Sequence, residues 1–90
     1  MTFEWNERKS SHNRRKHGVG FREAATVFDD PLSMTFPDEE HSVAERRFVT
    51  IGQSALGRLL VVAHTEAGGT IRIISARQVT PRERKFYEEG

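Results

Sequence analysis

Three strand-like stretches separated by very short connections dominate the second half of this 90-residue chain. Residues 47–53, 58–66 and 70–77 are rich in the β-branched and other apolar residues that favour strands. The connections between them, 54–57 and 67–69, are too short for a parallel crossover, which needs a dozen or more residues. The sequence therefore predicts an antiparallel three-stranded meander.

Shorter elements precede the meander. Phe3-Glu4-Trp5 alternates apolar and polar residues and predicts a short strand. Asn6 is a suitable cap for a helix that runs to about His17, where Gly18 supplies a left-handed stop. The apolar residues from Phe21 to Phe28 recur at helical spacing and predict a second helix.

The remaining predicted elements are a short strand and a terminal helix. Leu32 to Phe36 favours a strand, and an acidic loop follows it. Thr80-Pro81-Arg82-Glu83 has the pattern of a capping box with proline at the first helical position. The expected fold is a single α+β domain over residues 1–90. We expect an antiparallel sheet made of the meander and the N-terminal strand, packed with two N-terminal helices and one C-terminal helix.

Composition limits the chemistry. The chain has no cysteine, which excludes disulfides, thiolate metal sites and cysteine nucleophiles and favours a reducing, cytoplasmic location. No apolar stretch approaches the roughly 20 residues that a membrane span needs. We interpret Asp38-Glu39-Glu40-His41 as a solvated loop or as a contact for basic residues of a partner. Four adjacent residues in an extended loop cannot all face one ion, so we expect neither metal nor cofactor.

Charge is strongly segregated along the chain, although the net charge is only +1. Residues 1–22 contain six Lys or Arg and two acidic residues, whereas residues 23–45 contain seven acidic residues and no Lys or Arg. Residues 46–82 contain six Arg and only Glu66 as an acid. Since most of these arginines are scattered in sequence, a cationic patch forms only if folding assembles it, and arginines at strand ends that merely keep a sheet soluble are the alternative.

Strand register decides which of these cations meet. Pairing Gln53 with Arg58 and Glu66 with Thr70 would place Arg47, His64 and Arg72 in one row on one face. Like charges in such a row repel, so the row is typical of a phosphate-binding site. A two-residue turn at residues 68–69 would instead move Arg72 to the opposite face from His64.

These residue types suit RNA cleavage without a metal. In-line attack by a ribose 2′-hydroxyl needs a proton acceptor, donors for the phosphate oxygens and an acid for the leaving oxygen. His64 titrates near neutrality, Arg72 and Arg77 offer planar forks, and Tyr87 can donate a hydrogen bond or stack on a base. Alternatively, His64 is a satisfied polar group inside the sheet and Tyr87 a helix anchor.

The chain resembles the BrnT toxins, a branch of the RelE-like ribonuclease fold, over nearly its whole length. The residues that carry the resemblance are Phe3-Glu4-Trp5, Lys9, Asn13, Lys16-His17-Gly18-Val19, Phe21, Val27-Phe28-Asp29-Asp30-Pro31, Arg47-Phe48, Ile51-Gly52, Gly57-Arg58-Leu59-Leu60-Val61-Val62, His64-Thr65-Glu66, Arg72-Ile73-Ile74-Ser75-Ala76-Arg77, Glu83-Arg84 and Tyr87.

The resemblance implies a small RelE-like domain that acts as a metal-independent ribonuclease toxin. It also implies a DNA-binding antitoxin of the BrnA kind, through which alone the toxin reaches operator DNA. Carried onto this sequence, the family's basic sheet residues correspond to Arg47, Arg58, His64, Arg72 and Arg77, and its terminal-helix aromatic residue to Tyr87. Of these we predict that His64, Arg72, Arg77 and Tyr87 are catalytic, with the proton acceptor among them left open. We predict in addition that Lys16, Arg47 and Arg58 bind RNA.

Two rival functions remain open from the sequence. A non-enzymatic module that binds RNA or a partner protein needs only a basic sheet face. A stand-alone DNA-binding regulator needs a recognition helix, and the basic helix over residues 6–17 lacks the apolar, paired-helix pattern of such motifs.

Overall fold

A mixed sheet organises the chain. The computed structural model describes residues 1–41 and 45–90, and within these ranges the sheet has five strands in the spatial order β1-β5-β4-β3-β2. The strands are β1 (Thr2–Glu4), β2 (Met34–Pro37), β3 (Arg47–Gln53), β4 (Leu59–Ala67) and β5 (Thr70–Gln78).

Three α-helices accompany the sheet in the described parts of the chain. They are α1 (Glu7–His17), α2 (Phe21–Thr26) and α3 (Pro81–Glu89). The predicted second helix is shorter than its apolar pattern, because Val27–Asp29 continues it as a 3-10 turn. A second 3-10 turn, Glu39–His41, occupies the segment that the sequence predicts to be a loop.

The predicted α+β class and the antiparallel meander are confirmed, since β3 pairs with β4 and β4 with β5 in antiparallel fashion. The expectation of a wholly antiparallel sheet is wrong, because β1 pairs with β5 in parallel. More than sixty residues separate these two strands, so nothing in a local turn restricts their relative direction.

The main core lies between the sheet and the two N-terminal helices. Phe21, Ala24 and Val27 from the α2 segment are buried against Leu60 and Val62 of β4. Fully burying an aliphatic or aromatic side chain contributes about 1.5–3 kcal/mol, so this face supplies most of the stability.

Helix α1 is attached largely by hydrogen bonds, and its buried residues are Ser10 and Asn13. The Asn13 amide nitrogen donates to the carbonyls of Val19 and Ala76, both at 2.7 Å, and its oxygen accepts from Ala76 N–H at 3.3 Å. The Ser10 hydroxyl accepts from Phe21 N–H at 2.9 Å. Asn13 thereby bonds the edge of β5 at Ala76 much as a neighbouring strand would.

Helix α3 packs on the opposite side of the sheet. The predicted capping box forms, with Thr80 and Glu83 bonding each other's backbone N–H groups. A second, smaller cluster of Ile51, Leu59 and Val61 packs there against Val79 and Tyr87. No helix in the parts of the chain that the structure describes is long and apolar enough to cross a membrane.

Candidate nucleic-acid interface

We call the side of the sheet away from α1 and α2 the open face; it carries Arg47, Val61, Thr65, Arg72, Ser75 and Arg77, and α3 covers one end of it. Arg72 and Arg77 are five residues apart, a spacing that puts side chains on opposite faces of a regular strand. The register shifts between Ala63 and His64, which leaves Ile74 as an extra residue in β5. This β-bulge turns both arginines to the same side.

Arg47 and Arg72 lie in one row on the open face. Arg47 of β3 and Arg72 of β5 both pair with Thr65 of β4, which stands between them. The Arg72 side chain is 46% exposed and its Nη1 lies 3.2 Å from Oε1 of Glu4, itself 55% exposed. Because exposed ion pairs of this kind contribute at most about 1 kcal/mol, a phosphate can replace Glu4 at little cost.

Arg77 is held more firmly, by Glu83 at the start of α3. Its Nη1 and Nη2 donate to the two oxygens of Glu83 at 2.8 and 2.9 Å, and Nη1 also reaches the Gln78 carbonyl at 3.2 Å. The hydrogen bonds from Arg77, together with the backbone bond from Thr80, lower the pKa of Glu83 to about 2 despite its partial burial. Glu83 therefore stays ionised and fixes the guanidinium beside α3.

Tyr87 lies at the same end of the open face and is tied to Asp30. Its hydroxyl donates to Oδ2 of Asp30 at 2.5 Å, which raises the pKa of Tyr87 to about 12. Burial raises the pKa of Asp30, but the bonds from Tyr87 and from the backbone N–H groups of Gln53 and Leu32 together hold it below its usual value. Tyr87 thus anchors α3 to the segment that follows the 3-10 turn Val27–Asp29.

His64 is not on the open face. Its side chain is 0% exposed, and it lies between Phe28 and Phe48 with ring centroids at 4.8 and 5.9 Å. Nε2 lies 2.7 Å from the Thr50 hydroxyl, and Nδ1 has no hydrogen-bond partner among the described residues. Burial lowers the pKa of His64 to about 4, so the ring is neutral near pH 7.

The predicted row is therefore wrong at its centre, and strand register explains why. The first hairpin pairs Gln53 with Leu59 rather than with Arg58, and the second pairs Ala67 with Thr70 across the two-residue turn. Each register differs by one residue from the predicted one. Because both hairpins shift, the arginines of β3 and β5 stay together and only the β4 residue between them changes, from histidine to Thr65.

Arg58 and Lys16 are not on the open face itself. Arg58 donates from Nε and Nη2 to Glu23 of α2, at 2.9 and 2.5 Å, and from Nη2 to the Gly18 carbonyl at 2.8 Å. Glu23 has a lowered pKa, chiefly because of this bond, and its side chain is only 10% exposed. Arg58 thus clamps α2 to the start of β4, whereas Lys16 is exposed on α1 beside Ser75.

Sequence reasoning missed the carboxylates that hold the site. The sequence identifies Glu83 as a capping residue of α3. Its position in the first turn of α3 indicates that its side chain lies near the end of β5. Asp30 gave no such signal, since two of its three bonds come from Gln53 and Tyr87, which are distant in sequence, and only the bond from Leu32 is local. Among the described residues, no group of three or more His, Asp or Glu converges on a point that could hold a metal ion.

The fold and its site define a small α+β protein built on a five-stranded mixed sheet with arginines on one open face. The profile of a family described as the ribonuclease toxin, BrnT, of type II toxin-antitoxin systems matches residues 5–83. The chain therefore belongs to the BrnT family of ribonuclease toxins. Such a toxin has an antitoxin as its partner.

Among solved structures, the fold is similar to the crystal structure of the Brucella abortus ribonuclease toxin, BrnT. The TM-score is 0.68 at 24% sequence identity, over 89% of this chain and 97% of that one. No curated protein matches the chain.

Proposed function

We propose that the chain cleaves RNA on its open face without a metal ion. The observation that carries this proposal is the convergence of Arg47, Arg72 and Arg77 on one side of the sheet, which depends on the bulge at Ile74. Separated arginines that share a face form a cationic surface suited to the phosphates of a nucleic-acid backbone.

Arg72 and Arg77 are far enough apart to contact different parts of one RNA strand. Arg72 pairs with Thr65 and Arg77 with Val61, so the two stand four residues apart along β4, roughly 13 Å. Their carboxylate partners hold them at opposite ends of the open face, Arg72 toward β1 and Arg77 toward α3. Such a spacing favours contacts to successive parts of a strand over two contacts to one phosphate.

The chemistry follows from what an arginine fork can do. A guanidinium at the scissile phosphate stabilises the charge that develops on the phosphate oxygens while the neighbouring 2′-hydroxyl attacks in line. The 2′-hydroxyl gives its proton to water, the bond from phosphorus to the 5′-oxygen breaks, and the 5′-oxygen takes a proton from water. Tyr87 contributes as a stacking or hydrogen-bonding group once its hydroxyl leaves Asp30. His64 would need the core to open before it touched RNA, so we assign it a structural role in the folded enzyme.

We further propose that the antitoxin is of the BrnA kind and that the toxin reaches operator DNA only through it. The open face is cationic, so acidic side chains with apolar anchors on the partner would complement it. A reducing, cytoplasmic location fits a chain without cysteine.

The experiment is a cleavage assay on single-stranded RNA with the purified chain in excess EDTA. Attack by the 2′-hydroxyl yields 2′,3′-cyclic phosphate and 5′-hydroxyl ends, and we expect these products to persist in EDTA. The double variant Arg47→Gln, Arg72→Gln should cut at least about tenfold more slowly at unchanged urea midpoint, since each loses a charged donor to phosphate. The double variant Arg84→Gln, Lys85→Gln at exposed positions of α3 is the control with the same loss of charge.

Three outcomes would contradict the proposal. Loss of activity in EDTA, or products with 5′-phosphate ends, would overturn the metal-independent route. Equal rates for the double variant and the control would remove the open face from the site. Salt-dependent RNA binding without any cleavage would favour the non-enzymatic module instead.

A further inference from the structure

A second cationic surface adjoins the open face along the edge of β5. A groove between α1 and β5, here the α1–β5 groove, is lined by Arg8, Lys9, Asn13, Arg15, Lys16 and Ser75, among others. Lys9, His12, Asn13 and Lys16 recur at helical spacing and form one stripe of α1 beside β5. Asn13 at the bottom of this stripe holds the helix to Ala76.

The Lys and Arg side chains of the α1–β5 groove have no counter-ions within residues 1–41 and 45–90. The side chains of Arg8, Lys9, Arg15 and Lys16 are exposed and make no hydrogen bond or ion pair with any residue that the structure describes. By contrast, Arg58, Arg72 and Arg77 each have a carboxylate partner. A folded surface with several unpartnered cations attracts anions.

Helix stability does not explain this pattern. Cations in the last turn, such as Lys16, are favoured by the partial negative charge at the helix C-terminus. Arg8 and Lys9 lie in the first turn, where the partial charge is positive and cations are disfavoured. The helix also has no buried apolar residue, so these side chains do not cover a hydrophobic surface of its own.

The groove opens directly onto the open face. Ser75 lines the groove, pairs with Ala63 and lies on the open face between Arg72 and Arg77. Ile74, the extra residue of the bulge, also lines the groove. A strand of RNA bound by the open-face arginines can therefore pass over the edge of β5 at Ser75 without leaving positively charged surface.

We propose that the α1–β5 groove binds the sugar-phosphate backbone of single-stranded RNA on one side of the cleavage point, with Lys9 and Lys16 contacting phosphates. This inference rests on the proposed function and adds to it the path that the RNA follows across the surface. Contacts of this kind raise affinity for any RNA sequence without reading bases.

The test compares two double variants with equal loss of charge. Lys9→Gln, Lys16→Gln neutralises the groove, while Arg14→Gln, Arg22→Gln neutralises two exposed cations that line a different concavity, beside Trp5. The probe is a fluorescent single-stranded RNA of about twelve nucleotides with 2′-O-methyl groups throughout, which block the attacking hydroxyl. Anisotropy gives the Kd over a series of salt concentrations, and the urea midpoint checks folding.

We expect the groove variant to bind this RNA at least about tenfold more weakly at 0.1 M salt, and its salt slope to fall by about 1.4 for two lost phosphate contacts. The control variant should keep the wild-type slope. Equal losses in both variants would show that only net charge matters and would overturn the inference. Wild-type RNA affinity of the groove variant combined with lost antitoxin binding would overturn it as well.

Failure of this inference and failure of the proposed function are distinguishable. If wild type cleaves RNA in EDTA but the groove variant binds normally, the groove is rejected and the ribonuclease site stands. If wild type does not cleave but the groove variant alone loses affinity, the groove stands as an RNA-binding surface and the proposed function is rejected.

Discussion

Arg77 of β5 and Glu83 of α3 form a two-pronged ion pair, with nitrogen-oxygen distances of 2.8 and 2.9 Å. The same carboxylate accepts from Thr80 N–H at 2.8 Å and so completes the helix cap. The Glu83 side chain therefore both caps α3 and fixes the position of Arg77 on the open face.

Glu83→Gln should weaken the cap and release Arg77. We expect the free energy of unfolding to fall by about 1 kcal/mol, a modest value because Arg77 is 42% exposed, and RNA affinity to rise because the guanidinium becomes available. Urea denaturation and RNA anisotropy measure the two effects. Unchanged affinity would mean that Arg77 does not contact RNA.

The ion pair between Arg77 and Glu83 should make part of the free energy of unfolding depend on pH. The pKa of Glu83 lies near 2 in the folded protein, against an ordinary value of 4.5. Its stabilising effect is therefore complete above about pH 4.5 and is lost as the pH falls toward 2. The difference in unfolding free energy between wild type and Glu83→Gln should shrink over this range; a constant difference would contradict the depressed pKa.

His64→Gln separates a structural role from a catalytic one. The pKa of His64 is about 4 in the folded protein, against 6.5 for an ordinary histidine. Between about pH 6.5 and pH 4 the unfolded chain therefore binds a proton at this residue and the folded protein does not. Wild type should lose stability as the pH falls through this range. His64→Gln should lack this pH-dependent loss of stability. Its cleavage rate per folded molecule and the pH profile of that rate should match wild type; a changed profile would return His64 to the reaction.

Asn13→Ala should be among the most damaging substitutions in α1. It removes three hydrogen bonds and leaves Ala76 N–H and the carbonyls of Val19 and Ala76 without partners in a buried setting. We expect a loss of about 2–4 kcal/mol in unfolding free energy from urea denaturation. The exposed neighbour Arg15→Ala serves as control and should stay within about 0.5 kcal/mol of wild type.

Arg58→Gln tests whether this residue clamps the fold or binds RNA. Glu23 is only 10% exposed and would lose its charged partner, so we expect a loss of about 1–3 kcal/mol in stability. RNA affinity of the folded fraction should stay within about twofold of wild type. A large drop in affinity at unchanged stability would contradict the clamp and assign Arg58 to the RNA surface; Arg22→Gln controls for net charge.

Local pattern predicted most of the fold. Turn length determined the meander, and capping residues located both ends of α1 and the start of α3. The direction of β1 could not be predicted, because its partner β5 lies at the other end of the chain. Pairing over such a distance depends on global packing, which turn chemistry does not encode.

The site was harder to predict than the fold because it depends on register. The residue types on the open face were recognised, but which face each occupies changes with every one-residue shift. Two shifts and one bulge separate the predicted arrangement from the observed one, and they exchange His64 for Thr65 while retaining Arg47 with Arg72. Side-chain chemistry was thus easier to foresee than side-chain direction.

The extra residue at Ile74 has an evolutionary consequence. In a regular strand of this length, the five-residue spacing would point Arg72 and Arg77 to opposite sides of the sheet, whereas a strand one residue shorter at this point would keep them on the same side without a bulge. The bulge therefore allows β5 to take up an inserted codon while the paired-arginine surface is retained. A strand with the insertion and one without it can present the same two arginines, so small insertions and deletions at this position are compatible with an unchanged surface.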